Sequence, residues 1–340
     1  MQARLQLSAR IGALAALFAI GVYGDKALAA DIQIKIGHDM PEFSPHHKAV
    51  VRWKELVEEH SNGKVEVMIF PASILGSATQ MVEQVQAGAL EAAMLPNAQI
   101  APIAPELTVL DLPYLFPNRE IAHAVVDGPV GDTILAVLDK SNIIGLAHWE
   151  SGFKQFTGNF PIAAPADYEG RKIRTMPSQV VQQQFQAFGA VPTQIAFSEL
   201  YSSLQQGVVD GQENPIATIA AGKLYEVQPY ITLSDHGFLG EVFMINKTFF
   251  EGLDPEIQTV LREAAWEGRD YQRQLIAENE QEQLEMFKKA GVNIIELTPE
   301  DREKFVAAAQ QVHEWYRSQN GGELLDAIQA DIKEREAGGN

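Results

Sequence analysis

The residue types best suited to specific chemistry gather between Gly170 and Pro215. Arg174 follows the apolar Ile173 at the end of a short strand-like run, and the segment closes on Gly211-Gln212-Glu213-Asn214-Pro215. A guanidinium offers a planar fork of N–H donors that fits a carboxylate through two parallel hydrogen bonds. Arg174 is therefore a candidate anion anchor, against the alternative of a solvated arginine on a strand edge. Asn214 precedes Pro215, and proline suits the first helical position. Its amide either reaches a ligand, with the helix N-terminus facing an anion, or is consumed as an N-cap by backbone N–H groups. Phe197, just before Ser198-Glu199, is either core or the wall of a pocket. Trp149 and the turn Gly152-Phe153-Lys154 fall where the chain first passes between its two halves, and Lys154 is a second cation for a ligand or a solvated lysine.

Other chemistries are not signalled. The chain has no G-x-S-x-G, H-E-x-x-H, phosphate-loop or G-x-G-x-x-G motif, and no cysteine for thiol catalysis, disulfides or thiolate metal sites. His38, His46 and His47 lie close in sequence but lack a further ligand at helical spacing, so they read as solvated loop histidines. No enzyme activity, cofactor or metal is expected.

The elements that must position these residues follow from periodicity. Strand-like runs at 32–37, 64–70 and 92–95 alternate with helices at 45–60 and about 79–87, an α/β order with parallel neighbours. A proline-punctuated connection and two helices lead to a strand at 143–148. From Gly152 the pattern starts afresh, with strands at 153–157, 172–174, 190–195 and 209–213 and helices at 179–188 and 198–206. After a strand at 242–246, Asp254-Pro255 opens a periodic helix to about Lys289, long enough to span both halves. A last strand at 292–296 and a charged helical tail follow. Two α/β lobes joined by crossing strands and one long helix form a clamshell that closes on a ligand at the domain interface.

Length and charge agree with this. A chain of 340 residues exceeds one ordinary core. Residues 1–29 read as a cleaved secretory signal: Arg4 and Arg10, the apolar run Ile11–Val22, and an A-x-A site at Ala27-Leu28-Ala29. The domain expectation is 30–151 plus about 240–280 for lobe I, and 152–239 plus about 281–340 for lobe II. Setting aside Arg4, Arg10, Asp25 and Lys26 leaves 23 basic against 44 acidic residues, a net of −21. Such a surface repels nucleic acid and anionic lipid, yet a local pocket can still hold an anion because screening acts over about 8 Å.

Several ordered segments resemble the solute-binding proteins of TRAP transporters, of the dicarboxylate-binding, DctP-like type. They are Ile34-Lys-Ile-Gly-His38, Ser61-Asn-Gly-Lys64, Leu112-Pro-Tyr-Leu-Phe116, Gly170-Arg-Lys-Ile-Arg174, Phe197-Ser-Glu-Leu-Tyr201 and Gln206 through Pro215. The resemblance runs over nearly all of the chain after the leader. It implies a periplasmic-binding-protein fold of two α/β lobes that binds a small organic acid and delivers it to TRAP membrane permease subunits, without inserting in the membrane itself. In that family the arginine matching Arg174 grips the ligand carboxylate, the asparagine matching Asn214 helps hold it, and Phe197 matches a pocket aromatic. Lys154 stands where the family usually carries arginine, which keeps the charge and loses the fork. Asp39 matches a polar pocket position, with Gln99 and Glu241 as further candidates and Trp149 as a second wall. A sensing protein that acts on a signalling partner, or a periplasmic α/β enzyme, are the other readings of such a fold.

Overall fold

Strands and helices alternate along the chain and build two α/β lobes that share one strand. The computed structural model describes residues 30–338, so the leader expected at 1–29 lies outside the described residues. The first strands are β1 (Ile32–Gly37), β2 (Val65–Phe70), β3 (Ala92–Pro96), β4 (Ile143–Gly158) and β5 (Lys172–Thr175). The rest are β6 (Val191–Gln194), β7 (Gly211–Pro215), β8 (Tyr230–Leu233), β9 (Phe238–Asn246) and β10 (Asn293–Glu296).

In the first lobe β1 pairs in parallel with β2 and β3, and β9 joins β3 antiparallel. In the second, β5 pairs in parallel with β6 and β7, while β8 runs parallel with β10. β4 belongs to both lobes. Residues 143–153 pair with β9, and residues 154–158 lie between β7 and β8. The central strands β3 and β9 are buried along their whole length, as expected for strands covered on both faces.

Sequence places two strands, 143–148 and 153–157, with a turn between them. The structure joins them into one strand of 16 residues. Register shifts at Gly145/Ala147 and Glu150/Gly152 mark two bulges, and Gly152 takes φ +105° at the second. A glycine at positive φ bends the strand and lets pairing continue, where a reversal would have ended it.

The helices cover both faces. Ser44 caps Pro45–His60 by accepting from His47 N at 3.1 Å, and Trp53, fully buried, anchors that helix against β9 through Phe243. The helix Pro255–Lys289 has 35 residues, about 50 Å at 1.5 Å per residue. Its Leu261 and Ala265 pack in the first-lobe core with Trp53 and Trp149, while Phe287 packs with Leu224 and Ile231 in the second. It therefore spans both lobes. The tail does not lie wholly on lobe II as expected. Phe305 of Pro299–Asn320 enters the aromatic core around Phe156 and Phe185, but Leu325 and Ile328 of Glu323–Glu336 join the first-lobe core with Val125 and Ile134.

One close approach is testable. A Cβ on Gly211 would stand 2.4 Å from the carbonyl oxygen of Thr157 on β4, backbone that cannot rotate away. Gly211→Ala is expected to destabilise the protein by about 1–3 kcal/mol through overpacking, read as a lower urea midpoint at unchanged slope.

Candidate ligand-binding site

Open α/β sheets bind ligands beyond the carboxyl ends of their parallel strands, because the chain enters loops and helix starts there. The carboxyl end of β1 supplies Asp39 and Met40, and that of β3 supplies Pro96 and Gln99. From the other lobe, β5 gives Arg174 and Met176, and β7 gives Asn214 and, in the helix Ile216–Ala221, Thr218. Ser151 of β4, Leu239 and Glu241 of β9, and Phe197 complete one cavity between the lobes. It measures about 20 Å³, little more than the roughly 10–15 Å³ a single water occupies. The cleft is closed.

Arg174 is 2% exposed. Its Nε donates to Ile195 O at 2.9 Å, and its Nη2 is buried with no hydrogen-bond partner among the described residues. Burial lowers its pKa from 12.5 to about 10, against the opposing pull of Asp39 and Glu213, so it stays charged at neutral pH. A charged donor held by its Nε and unsatisfied at Nη2 has the chemistry to take an anion. Asn214 is not an N-cap: it lies within β7, Pro215 occupies the cap position, and its Nδ2 donates to Gln212 Oε1. Thr218 Oγ1 is buried without a partner.

The opposite wall is acidic. Burial, and then the nearby Glu241, push Asp39 from 3.8 up to about 6. Burial likewise pushes Glu241 from 4.5 to about 7, although Ser151 Oγ at 2.8 Å and Gln272 Nε2 at 3.2 Å hydrogen-bond to it. With Glu241 ionised, Ser151 donates to it and accepts from His46 Nε2 at 2.7 Å, which places the imidazole proton on that nitrogen. A hydrolytic triad sets the histidine between hydroxyl and acid; here the hydroxyl lies between the other two, so the imidazole is not placed to relay a proton from it to the acid.

Asp39, Gln99, Arg174, Phe197, Asn214 and Glu241 thus share one cavity, and two expected residues do not. Lys154 is fully buried behind the site, its Nζ 2.6 Å from Glu213 Oε1. Gln184 Nε2 donates to Glu213 Oε2 at 2.8 Å, and His236 Nε2 lies 2.5 Å from the same oxygen. Burial alone would raise Glu213, but Lys154 and His236 hold it well below the usual carboxylate range. Strand alternation is the cause. Gln155 stands opposite Asn214, so Lys154, opposite Pro215, shares the other face with Glu213. Trp149 is likewise no pocket wall: its Nε1 donates to Ala265 O at 2.9 Å and its ring packs on Phe243 in the first-lobe core. The histidines are not solvated loop residues either, since His38 and His46 are fully buried and burial holds them at about 3 and about 4. Ser151 and Thr218 were not singled out from sequence; a small residue beside a bulge and a threonine in a short helix carry no distinguishing pattern.

Two α/β lobes closed over a buried, part-satisfied guanidinium define a solute-binding protein. The chain belongs to bacterial extracellular solute-binding protein family 7 (DctP), whose family model matches residues 36–319. It is 36% identical over 336 residues to the C4-dicarboxylate-binding periplasmic protein DctP of Rhodobacter capsulatus, covering 98% of this chain and 100% of that one. The sugar acid binding protein DctPAm of Advenella mimigardefordensis, solved with galactonate, matches with TM-score 0.86 and 34% identity over 89% of this chain and 98% of that one. A TRAP periplasmic solute binding protein of Sulfurospirillum deleyianum with bound succinate matches with TM-score 0.84 and 32% identity over 88% and 99%.

The Lys154–Glu213 pair generates its own expectation. Glu213→Gln leaves a buried ammonium without a countercharge and should cost about 3–5 kcal/mol at pH 7, whereas Lys154→Met with Glu213→Gln should cost less. The folded-state pKa of Glu213 is depressed, so its contribution is complete above its ordinary 4.5 and is lost as pH falls below that value. Urea unfolding from pH 8 to 3 should show the gap between wild type and Glu213→Gln narrowing only at the acid end.

Proposed function

We propose that the mature chain is the extracytoplasmic receptor of a TRAP transporter, capturing a small organic acid between its lobes and handing it to the membrane permease subunits. The observation that carries this reading is Arg174, buried and charged at the carboxyl end of β5 with Nη2 lacking a partner. One ligand carboxylate oxygen satisfies Nη2, and the planarity of both groups favours a second, parallel bond. Asn214 and Thr218 lie on the same lobe and flank it. Asp39, Gln99 and Glu241 then close on the remainder of the molecule from the first lobe.

Energetics require that closure. A micromolar complex needs about −8 kcal/mol, and a charge-assisted hydrogen bond contributes about 1.5–3 kcal/mol net. The rest comes from contacts that exist only when both lobes meet and exclude water. Because the closed cavity is only about 20 Å³, entry requires the lobes to part. The segments that cross between them are β4 at Gly152, the link from β8 to β9, the long helix Pro255–Lys289 and the tail between Phe305 and Leu325, and the hinge would lie among these. We read residues 1–29 as the cleaved export signal that places the protein in the periplasm.

The test is the melting temperature of residues 30–340 against a panel of small organic acids. At least one carboxylate is expected to raise it, and Arg174→Ala should abolish that rise while the ligand-free protein still unfolds cooperatively. Arg174→Lys, which keeps the charge and loses the fork, should weaken binding tenfold or more. Stabilisation that survives Arg174→Ala at wild-type strength would remove the anchor assignment.

A further inference from the structure

The cavity's polar groups also describe the end of the ligand that lies away from Arg174. Among the described residues lining it, Arg174 is the one cation. Lys154, the other basic residue expected here, is committed to Glu213 on the far face of β4 and β7. Across the cavity from the guanidinium are two carboxyl groups, Asp39 and Glu241, with the amide of Gln99 on their lobe and the hydroxyl of Thr218 on that of Arg174. The side-chain hydrogen bond of Gln99 uses its carbonyl, which accepts from Thr79 Oγ1 at 3.3 Å, so its amide N–H groups remain as donors. Asn214 spends its Nδ2 on Gln212, so its Oδ1 remains as an acceptor.

We infer that the ligand is a polyhydroxylated monocarboxylate: its carboxylate sits on Arg174, and its hydroxyls fill the end lined by Asp39, Gln99 and Glu241. This rests on the reading of Arg174 as the carboxylate anchor. A second ligand carboxylate would set like charge against Asp39 and Glu241 inside a closed, poorly screened space. An ammonium group offers donors only and would leave the Gln99 amide unpaired. A hydroxyl both donates and accepts, and a row of hydroxyls matches a wall that mixes acceptors with donors.

The experiment is isothermal titration of residues 30–340 at pH 7.5 with glycerate, erythronate, gluconate and galacturonate, against hexanoate, succinate and glycine betaine. At least one hydroxylated monocarboxylate is expected to bind 100-fold or more tighter than hexanoate and succinate, because a site built for hydroxyls rejects analogues that lack them. Asp39→Asn should narrow the ratio between the best hydroxylated acid and hexanoate by tenfold or more, and Gln99→Leu gives a second reading should the first variant fold poorly. Succinate or betaine binding tightest, or hexanoate within tenfold of the best hydroxylated acid, overturns the hydroxyl-rich class while leaving Arg174 as the anchor. Loss of no affinity in Arg174→Ala, or binding of no carboxylate in the panel, defeats the anchor reading itself.

Discussion

A guanidinium kept charged away from water must find its partners within the fold or bring them in from outside, and that constraint organises this protein. Arg174 remains protonated because Asp39 and Glu213 lie near enough to offset part of the burial penalty, while only its Nε has a fixed acceptor, Ile195 O. The parallel strands β1, β3, β5 and β7 aim their carboxyl ends at this group from both lobes. Their regular pairing fixes where the side chains point to within the tolerance that a two-point carboxylate contact needs. A loop-borne arginine would lose more of that precision.

Two ionic clusters share β7 and have opposite jobs. Glu213 faces away from the cleft into a network where Lys154, His236 and Gln184 all engage its carboxylate. His236 stacks on Phe156 at 3.8 Å, which seals the network from the aromatic core below. Its neighbour Asn214 faces the cleft and keeps Oδ1 unspent. One residue's shift in register would exchange these faces, so the paired charge behind the sheet also enforces which amide points at the ligand. The carboxylate behind the sheet has its countercharge within the fold; the guanidinium in the cleft keeps Nη2 available for a ligand.

Much of this was legible beforehand. Alternating runs located β1, β2 and β5, and Ser44-Pro45 and Asp254-Pro255 marked two helix starts within a residue. Segments matching a known family pointed to Arg174, Asn214, Phe197 and Asp39, which the fold brings to one cavity. The misplacement of Lys154 traces to one glycine. Gly152 carries the same local signal whether it sits in a turn or in a bulge, and reading it as a turn left Lys154 free to point at the ligand. Once β4 is a continuous strand, its pairing with β7 places Lys154 opposite Pro215, on the face of Glu213. No spacing rule joins residues 59 apart, so only the strand register discloses that ion pair. Similarly, the burial of His38 and His46 depends on the helix Pro45–His60 folding back on β4, a tertiary fact without a local signature.

Charge also explains why an acidic protein can close on an acid. The net of −19 is spread over a surface where screening acts within about 8 Å, so an anion inside the cleft feels Arg174 first. Were the lobes apart, Asp39 would be hydrated and its ionisation cheap. With them together burial lifts it to about 6, so at neutral pH closing the cleft without a ligand forces a carboxylate into a space that disfavours it. Nη2 of Arg174 and Oγ1 of Thr218 add two more unmet demands to that state. A ligand that answers them removes penalties that exist only when the cleft is shut, and its affinity for the closed form exceeds that for the open one by that amount. On the proposed reading, closure is coupled to occupancy by these same unsatisfied groups, and no separate latch is needed.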